Sequence, residues 1–165
     1  MPRTAYRIRR ADPADAAPIA DLVSGLTRRW IAPDCDAAGV LVLLASMTSA
    51  ATAERLAGAY RYHVAESTSG LLLGVVAIRE PQHLYHLFVS DAAQRGGIAR
   101  ALWEHARAEL FAAGGEVAIT VNASRLAVPV YRRLGFAAEG AEQVHAGIPS
   151  TPMRWLPHPT PLPQM

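Results

Sequence analysis

The chain has 165 residues, of which 51% are hydrophobic and 18% are charged, and its formal net charge is +2. This length and composition predict a single globular domain that buries a core of its own. The basic residues are all arginine and form no long run, so we expect no nucleic-acid partner. The longest apolar runs, near 40–45 and 71–78, are too short to cross a bilayer, and the N-terminus lacks the apolar segment of a signal peptide. We therefore expect a cytoplasmic protein that has no membrane partner.

The first third of the chain predicts one strand and two helices. Alternating polar and apolar residues at 6–10 predict an edge strand. An apolar stripe at positions i, i+3, i+4 and i+7 predicts a helix that ends near Thr27. Thr48 or Ser49 is a candidate cap for a short helix over 50–59. The strongly apolar segment 37–47 forms either core or one wall of a substrate cleft.

The middle of the chain predicts three strands, at 60–66, 71–79 and 83–89, with short turns between them. Strands joined in this way form an antiparallel meander, which differs from a Rossmann order. A helix then begins at Ile98 and stops at the glycine pair 114–115.

The last third predicts a buried strand at 117–122, followed by a helix in which Pro129 causes a kink or a late start. Residues 136–145 and 148–156 then predict a closing hairpin. Prolines in 158–165 predict a loose C-terminal tail.

The turn between the third strand of the meander and the next helix predicts a binding site for a diphosphate. The first N–H groups of a helix have no internal partner, and the helix dipole places partial positive charge there. Gly96 and Gly97 let phosphates approach these groups without meeting a Cβ atom, and Arg95 and Arg100 add positive charge. An ordinary glycine turn is the alternative interpretation.

The turn matches neither a P-loop nor the dinucleotide motif G-x-G-x-x-G. Its sequence, Gln94-Arg95-Gly96-Gly97-Ile98-Ala99, fits [QR]-x-x-G-x-[GA]. That pattern resembles the acetyl-CoA pyrophosphate loop of the GCN5-related N-acetyltransferase (GNAT) family.

A second stretch, 122–136, is similar to the GNAT signature N-x-x-A-x-x-x-Y-x-x-x-G-F. Ala127, Tyr131, Gly135 and Phe136 match it in register. Ser124 stands where the signature has asparagine, and Asn122 is the alternative source of an amide. Residues 147–153 also match the ending G-I-x-x-x-P-M of small bacterial members.

The resemblance covers residues 6–156 and implies the GNAT fold, a mixed α/β (α+β) architecture. We expect a central, mostly antiparallel, twisted sheet of about seven strands flanked by about four helices, in the order β-α-α-β-β-β-α-β-α-β-β. The resemblance also implies one acetyltransferase domain over 1–157, with the tail 158–165 outside it.

The resemblance further implies that acetyl-CoA binds as co-substrate between the fourth and fifth strands. The backbone of the fourth strand should pair with the pantetheine arm, and the glycine turn should hold the diphosphate. For Arg100, a solvated helix face is the alternative role. The expected cofactor-binding residues are Leu87, Phe88, Val89, Gln94, Arg95, Gly96, Gly97, Ile98, Ala99, Arg100, Asn122 and Ser124. We expect no metal, because the histidines show no recognisable ligand spacing.

Two residues are expected to act in catalysis. Tyr131 matches the tyrosine that lies near the acetyl-CoA sulfur in many members, where its hydroxyl assists the leaving thiolate. Its alternative role is to pack the helix on the sheet. His86 stands where many members have the glutamate base, so it is expected to accept the amine proton directly or through water. The alternatives are a structural His86, with His83 or Glu80 as the base.

The resemblance therefore implies direct transfer of an acetyl group from acetyl-CoA to a primary amine of an unidentified acceptor in a ternary complex. The alternative function is a catalytically degenerate module that binds acetyl-CoA and senses it. A third possibility is a structural partner in a complex, for instance a homodimer formed through the closing hairpin.

Overall fold

The structure is a computed structural model that describes residues 4–157, so the predicted tail 158–165 lies outside the described residues. The described α-helices are α1 Ala16–Leu26, α2 Ala37–Ala45, α3 Ser49–Ala57, α4 Ile98–Gly114 and α5 Val128–Arg133. The described strands are β1 Tyr6–Arg10, β2 Tyr60–Ser67, β3 Leu72–Arg79, β4 His83–Val89, β5 Ile119–Ala123, β6 Ala137–Ala138, β7 Gln143–His145 and β8 Ile148–Trp155.

The strands form a mixed sheet in the order β1-β2-β3-β4-β5-β8-β6, and β7 pairs with β8. β4 and β5 are parallel, whereas the other pairs described here are antiparallel. The predicted mixed, mostly antiparallel fold is therefore confirmed. Within residues 4–157 the sheet has eight strands, close to the expected seven, and five α-helices accompany it.

The additional helix, α2, lies in the apolar segment 37–47, so three α-helices separate β1 from β2. The side chain of Asp36 caps α2 by accepting a hydrogen bond from the Gly39 N–H at 2.7 Å. A capping carboxylate before a run of alanine and leucine favours a helix.

The closing hairpin is interrupted, because residues 139–142 separate β6 from β7. Pro152 of β8 accepts a hydrogen bond from the Glu139 N–H at 2.8 Å but has no N–H of its own to donate toward that strand. The helix that contains Pro129 begins at Val128. Of the two predicted effects of Pro129, a kink or a late start, the structure shows the late start.

Helices pack on both faces of the sheet. On one face, α4 contributes an apolar stripe of Ile98, Leu102, Ala106 and Leu110. On the other face, α1 contributes Ile19 and Val23 to a separate cluster. Gly74 of β3 lies under α4, where an added Cβ atom would stand 3.0 Å from both Leu102 Cδ1 and the Phe88 carbonyl oxygen. Glycine therefore lets α4 lie close to the sheet beside β4.

Taken singly, the helices of residues 4–157 are each too short or too polar for a membrane span. Among the described helices, only α2 and α3 together have the required length and composition, and this pair is bent by 53° at its break.

Candidate active site

The parallel strands β4 and β5 separate along their length. In residues 4–157 they pair at His83 with Thr120 and at Leu84 with Val121, and the pairing ends there. β4 continues to Val89 without a partner on this edge. Backbone N–H and C=O groups on that edge therefore have no strand partner and are available to a ligand in the gap, although the Val89 carbonyl oxygen also accepts a hydrogen bond from Gln94.

A β-bulge in β4 accompanies this separation. Ala77 of β3 stands opposite His86 and Ile78 stands opposite Leu84, so Tyr85 is the extra residue. A bulge increases local twist, which turns the end of β4 away from β5. It also places the rings of Tyr85 and His86 side by side, with their centroids 4.3 Å apart.

The gap opens into a larger cavity of about 1010 Å³, which we call the cleft. The structure brings the predicted site residues together here, except Gly96, which does not line it. The lining includes Leu87, Phe88, Val89, Gln94, Arg95, Gly97, Ile98, Ala99, Arg100, Asn122, Ser124, His86 and Tyr131.

The turn before α4 presents main-chain N–H groups at one end of the cleft. Gly97, the residue before α4, has φ of +82° and makes no side-chain cap, whereas Asp36 and Thr48 cap α2 and α3. Arg95 also has a positive φ, +66°. These two left-handed positions, with Gly96 between them, bend the chain sharply, and the uncapped helix end is a suitable site for an anion.

Side chains around the turn hold it in place. Gln94 Nε2 donates a hydrogen bond to the Val89 carbonyl oxygen at 3.2 Å and so ties the turn to the end of β4. Arg100 Nη2 donates to the Arg133 carbonyl oxygen at 2.9 Å and ties α4 to the end of α5. Arg100 is thus more than a solvated helix residue, and its position beside the cleft still allows it to contact a phosphate.

Tyr131 lies on α5 with only 6% of its surface exposed. Its ring makes an edge contact with Phe136 at a centroid distance of 5.3 Å, so the residue does pack the helix against the sheet. Its hydroxyl forms no hydrogen bond within residues 4–157, although the residue lines the cleft. Burial raises the pKa of Tyr131, so the hydroxyl keeps its proton at neutral pH and is able to donate a hydrogen bond.

His86 is buried among aromatic rings. The centroids of Phe88 and Tyr62 lie 5.3 and 6.4 Å from its own. Burial lowers the pKa of His86 to about 3, helped by the nearby charge of Arg55 and opposed by a hydrogen bond to the Tyr85 backbone. Its Nε2 atom has no hydrogen-bond partner among residues 4–157, so that backbone bond involves Nδ1. The imidazole is therefore neutral at physiological pH, with the Nε2 lone pair free.

The two alternative bases differ in their positions. His83 lines the cleft, and its Nδ1 atom lies 2.8 Å from Thr120 Oγ1. Burial lowers the pKa of His83, so it is also neutral at physiological pH. Glu80 forms an ion pair with Arg61 and does not line the cleft.

The cleft also has a second wall, which sequence reasoning located only in part. Leu43, Ser46 and Met47 line it, so the apolar segment 37–47 contributes to the wall as well as to the core. Trp30 reaches the cleft from a single π-helical turn, Thr27–Ile31, which extends α1. No local pattern in the sequence distinguishes such a turn from a loop.

One group of possible metal ligands lies outside the cleft. Candidate ligand atoms of His63, His105 and Glu109 lie within 4.8 Å of one another. His63 Nε2 is 2.7 Å from Glu109 Oε2, while its Nδ1 atom is buried and has no partner in the described part of the chain. A metal-bound histidine normally donates its other N–H to an acceptor, and His63 has none there. We therefore describe this group as a hydrogen-bonded cluster and assign it no metal.

Comparison with known proteins agrees with this architecture. The family model described as "Acetyltransferase (GNAT) domain" matches residues 31–157. Among curated proteins, no match was found. The chain is similar to the structure of a GCN5-related N-acetyltransferase from Rhodopseudomonas palustris, with a TM-score of 0.79 and 22% identity over 94% of this chain and 98% of that chain.

Two similar structures contain a ligand. PaiA N-acetyltransferase from Thermoplasma acidophilum, in complex with coenzyme A, has a TM-score of 0.76 and 12% identity over 92% of this chain and 99% of that chain. YncA from Salmonella typhimurium, with its cofactor acetyl-CoA, has a TM-score of 0.64 and 20% identity over 98% of this chain and 99% of that chain. At these identities the likeness shows a shared fold. Because the family model covers more than half of its length, the chain belongs to the GNAT acetyltransferase family.

Proposed function

We propose that this protein is an N-acetyltransferase that moves the acetyl group of acetyl-CoA directly to a primary amine in a ternary complex. The observation that carries the proposal is the unpaired edge of β4, which leads to the uncapped end of α4 in a chain of this family. The coenzyme A and acetyl-CoA complexes of the two similar structures support the choice of donor.

In the proposed complex, the donor lies along the gap between β4 and β5. Main-chain groups of residues 87–89 pair with the amides of the pantetheine arm, because they have no strand partner on that edge. The N–H groups at the start of α4 donate to the diphosphate, and Arg95, which has no ion pair within residues 4–157, adds a full positive charge.

The transfer forms a nitrogen–carbon bond and breaks the carbon–sulfur bond. An alkyl ammonium has a pKa of about 10.4, so the acceptor must lose a proton before it attacks. His86 Nε2 receives that proton directly or through water, and the Tyr131 hydroxyl donates a proton to the leaving thiolate. If His86 has this role, His86→Ala lowers turnover across the pH range. An unchanged pH–rate profile would mean that His83 or a water chain, and not His86, accepts the amine proton.

A second function, a module that senses acetyl-CoA without turnover, is favoured by the burial of His86. A histidine whose pKa is about 3 is a weak base. Release of CoA thiol in the presence of a panel of amines separates the two functions. Amine-dependent release supports the enzyme, whereas tight donor binding without release from any amine supports the module. Because the chain contains no lysine, acetylation of its own side-chain amines gives no background in this assay.

The donor site has its own test in Gly97→Glu. This change places a negative charge at the helix end and forces a non-glycine residue to φ of +82°. Calorimetry should show that CoA affinity falls at least tenfold in a folded variant. Gly140→Glu is the matched control, because a Cβ atom there meets no atom within 4 Å and φ is not in the left-handed region. Equal affinity in the parent and in Gly97→Glu would reject this site.

A further inference from the structure

The cleft has an unusual balance of charge. No Asp or Glu of residues 4–157 lines it, while Arg79, Arg95, Arg100 and Arg133 all do. Acidic groups close to it in sequence are already paired. Asp91 binds Arg29 at 3.1 Å and accepts a hydrogen bond from Trp30 at 2.7 Å, and Glu80 pairs with Arg61. An acceptor that carries a second positive charge therefore meets no counter-charge here.

Arg79 is separate from the arginines near the glycine turn. It pairs across the sheet with His83, at the start of β4, whereas the turn follows Val89 at the other end. Six residues of strand span roughly 20 Å, so a diphosphate held by α4 lies far from Arg79. Its guanidinium has no ion pair within residues 4–157.

Arg79 lies on the same face of the sheet as the second wall of the cleft. Side chains two residues apart in a strand share a face, and Ala77 packs in the cluster that includes Tyr85 and α1. Ala77 also stands opposite His86. Arg79 thus lies two residues, about 7 Å, along the strand from the position that faces His86.

The rest of this wall is mainly apolar. It combines the side chains of Trp30, Leu43, Met47, Tyr85 and Ile148 with the hydroxyl of Ser46. Such a surface suits an aliphatic or aromatic group better than a polar chain. The acceptor half of the cleft therefore contains one unpaired cation beside an apolar surface.

We propose that the acceptor is an α-amino acid or a close analogue with an apolar side chain, and that Arg79 binds its carboxylate. The spacing places the amine beside His86 while the carboxylate reaches the guanidinium, which binds it through two parallel hydrogen bonds. The apolar side chain packs against Trp30 and Met47. This proposal rests on the proposed function, because the amine is the group that receives the acetyl.

A matched series of amines tests the proposal. Phenylalanine, phenylalaninamide and phenethylamine share one side chain and differ in the carboxylate. We expect kcat/KM to be at least tenfold higher for phenylalanine than for either analogue. The amide has the lowest amine pKa of the three, so any bias from its free-amine fraction opposes the expected order. A preference for phenethylamine, or for a diamine such as putrescine, would overturn the proposal.

Arg79→Gln should abolish this preference. It should lower kcat/KM for phenylalanine at least tenfold, leave that for phenethylamine within twofold, and leave the Kd for acetyl-CoA unchanged. Arg7→Gln is the charge-matched control, since Arg7 lies on the edge strand β1 with a 73% exposed side chain. An equal loss for all three amines in Arg79→Gln would contradict a carboxylate contact.

Binding experiments separate this proposal from the proposed function. Calorimetry measures binding of phenylalanine and of phenethylamine to the CoA-loaded protein, whether or not turnover occurs. Tighter binding of phenylalanine that is lost in Arg79→Gln supports the carboxylate site even if no amine is acetylated. Equal or absent binding of phenylalanine rejects it, even if another class of amine is acetylated.

Discussion

Tyr131 shows how one residue combines packing and chemistry. Its ring packs against Phe136, yet its hydroxyl forms no hydrogen bond within residues 4–157. The residue is buried, but it lines the cleft, where water or a ligand is able to complete the hydrogen bonding of its hydroxyl.

Tyr131→Phe separates the two roles. We expect turnover to fall by roughly 10²–10⁴-fold, the usual range for the loss of a general acid. The free energy of unfolding should stay within ~1 kcal/mol of the parent or rise, because no hydrogen bond within the protein is lost. Urea denaturation and steady-state kinetics measure the two quantities. An unaltered turnover number would mean that Tyr131 only packs.

At the scale of elements, the contact between α2 and the β7–β8 turn positions one wall of the cleft. The Asp36 N–H donates to the Gly147 carbonyl oxygen at 3.0 Å. Ala146 and Gly147 both have positive φ, as a two-residue hairpin turn requires. The start of α2 therefore packs directly on main chain of the hairpin, and Gly39 makes this close approach possible.

Gly39→Ala tests this contact. An added Cβ atom at Gly39 would stand 2.6 Å from the Gly147 carbonyl oxygen, so α2 must shift. We expect a loss of about 1–3 kcal/mol in the free energy of unfolding, as in other overpacked sites. The KM for the acceptor should rise while the Kd for acetyl-CoA stays the same. Gly25→Ala in α1 is the matched control, because its Cβ atom meets nothing within 4 Å and alanine favours a helix by up to about 1 kcal/mol. Equal stability of the two variants would contradict the role of Gly39.

Features that depend on neighbouring residues could be predicted from the sequence, whereas features that depend on residues far apart in the chain could not. The turn 94–99 was predictable because its requirements, a left-handed backbone and an open helix end, lie in adjacent residues. The separation of β4 from β5 was expected only from the family resemblance and not from local residues, because it accompanies a bulge at Tyr85 that depends on pairing with β3. The cluster of His63 and Glu109 was missed for a similar reason, since 46 residues separate the two in the chain.

At the scale of the whole molecule, buried histidines link stability to pH. Burial lowers the pKa of His63, His83 and His86 in the folded protein. The unfolded chain, whose histidines have a pKa of about 6.5, therefore takes up protons first as the pH falls. The stability that depends on these neutral histidines is complete above that pKa and decreases below it. For His86 the decrease continues toward pH 3.

We therefore expect the free energy of unfolding to fall between pH 7.5 and pH 5. For a fully buried histidine such as His86, the slope below its unfolded pKa approaches ~1.4 kcal/mol per pH unit. The window above pH 5 avoids carboxylates such as Asp15, whose lowered pKa affects stability only in more acidic solution. Urea denaturation at several pH values measures the slope. His86→Gln should reduce it, and an identical slope in that variant would contradict the assignment.

The open edge between β4 and β5 also bears on how the protein changes over evolution. The donor-binding groups that we propose there belong to the main chain, so substitutions at 87–89 other than to proline leave them in place. The opposite wall consists of side chains such as Trp30, Met47 and Tyr85, and each substitution there reshapes it. A lineage is therefore able to exchange one acceptor for another while it inherits the donor gap intact. The shared fold of chains only 12–22% identical to this one is consistent with such a division.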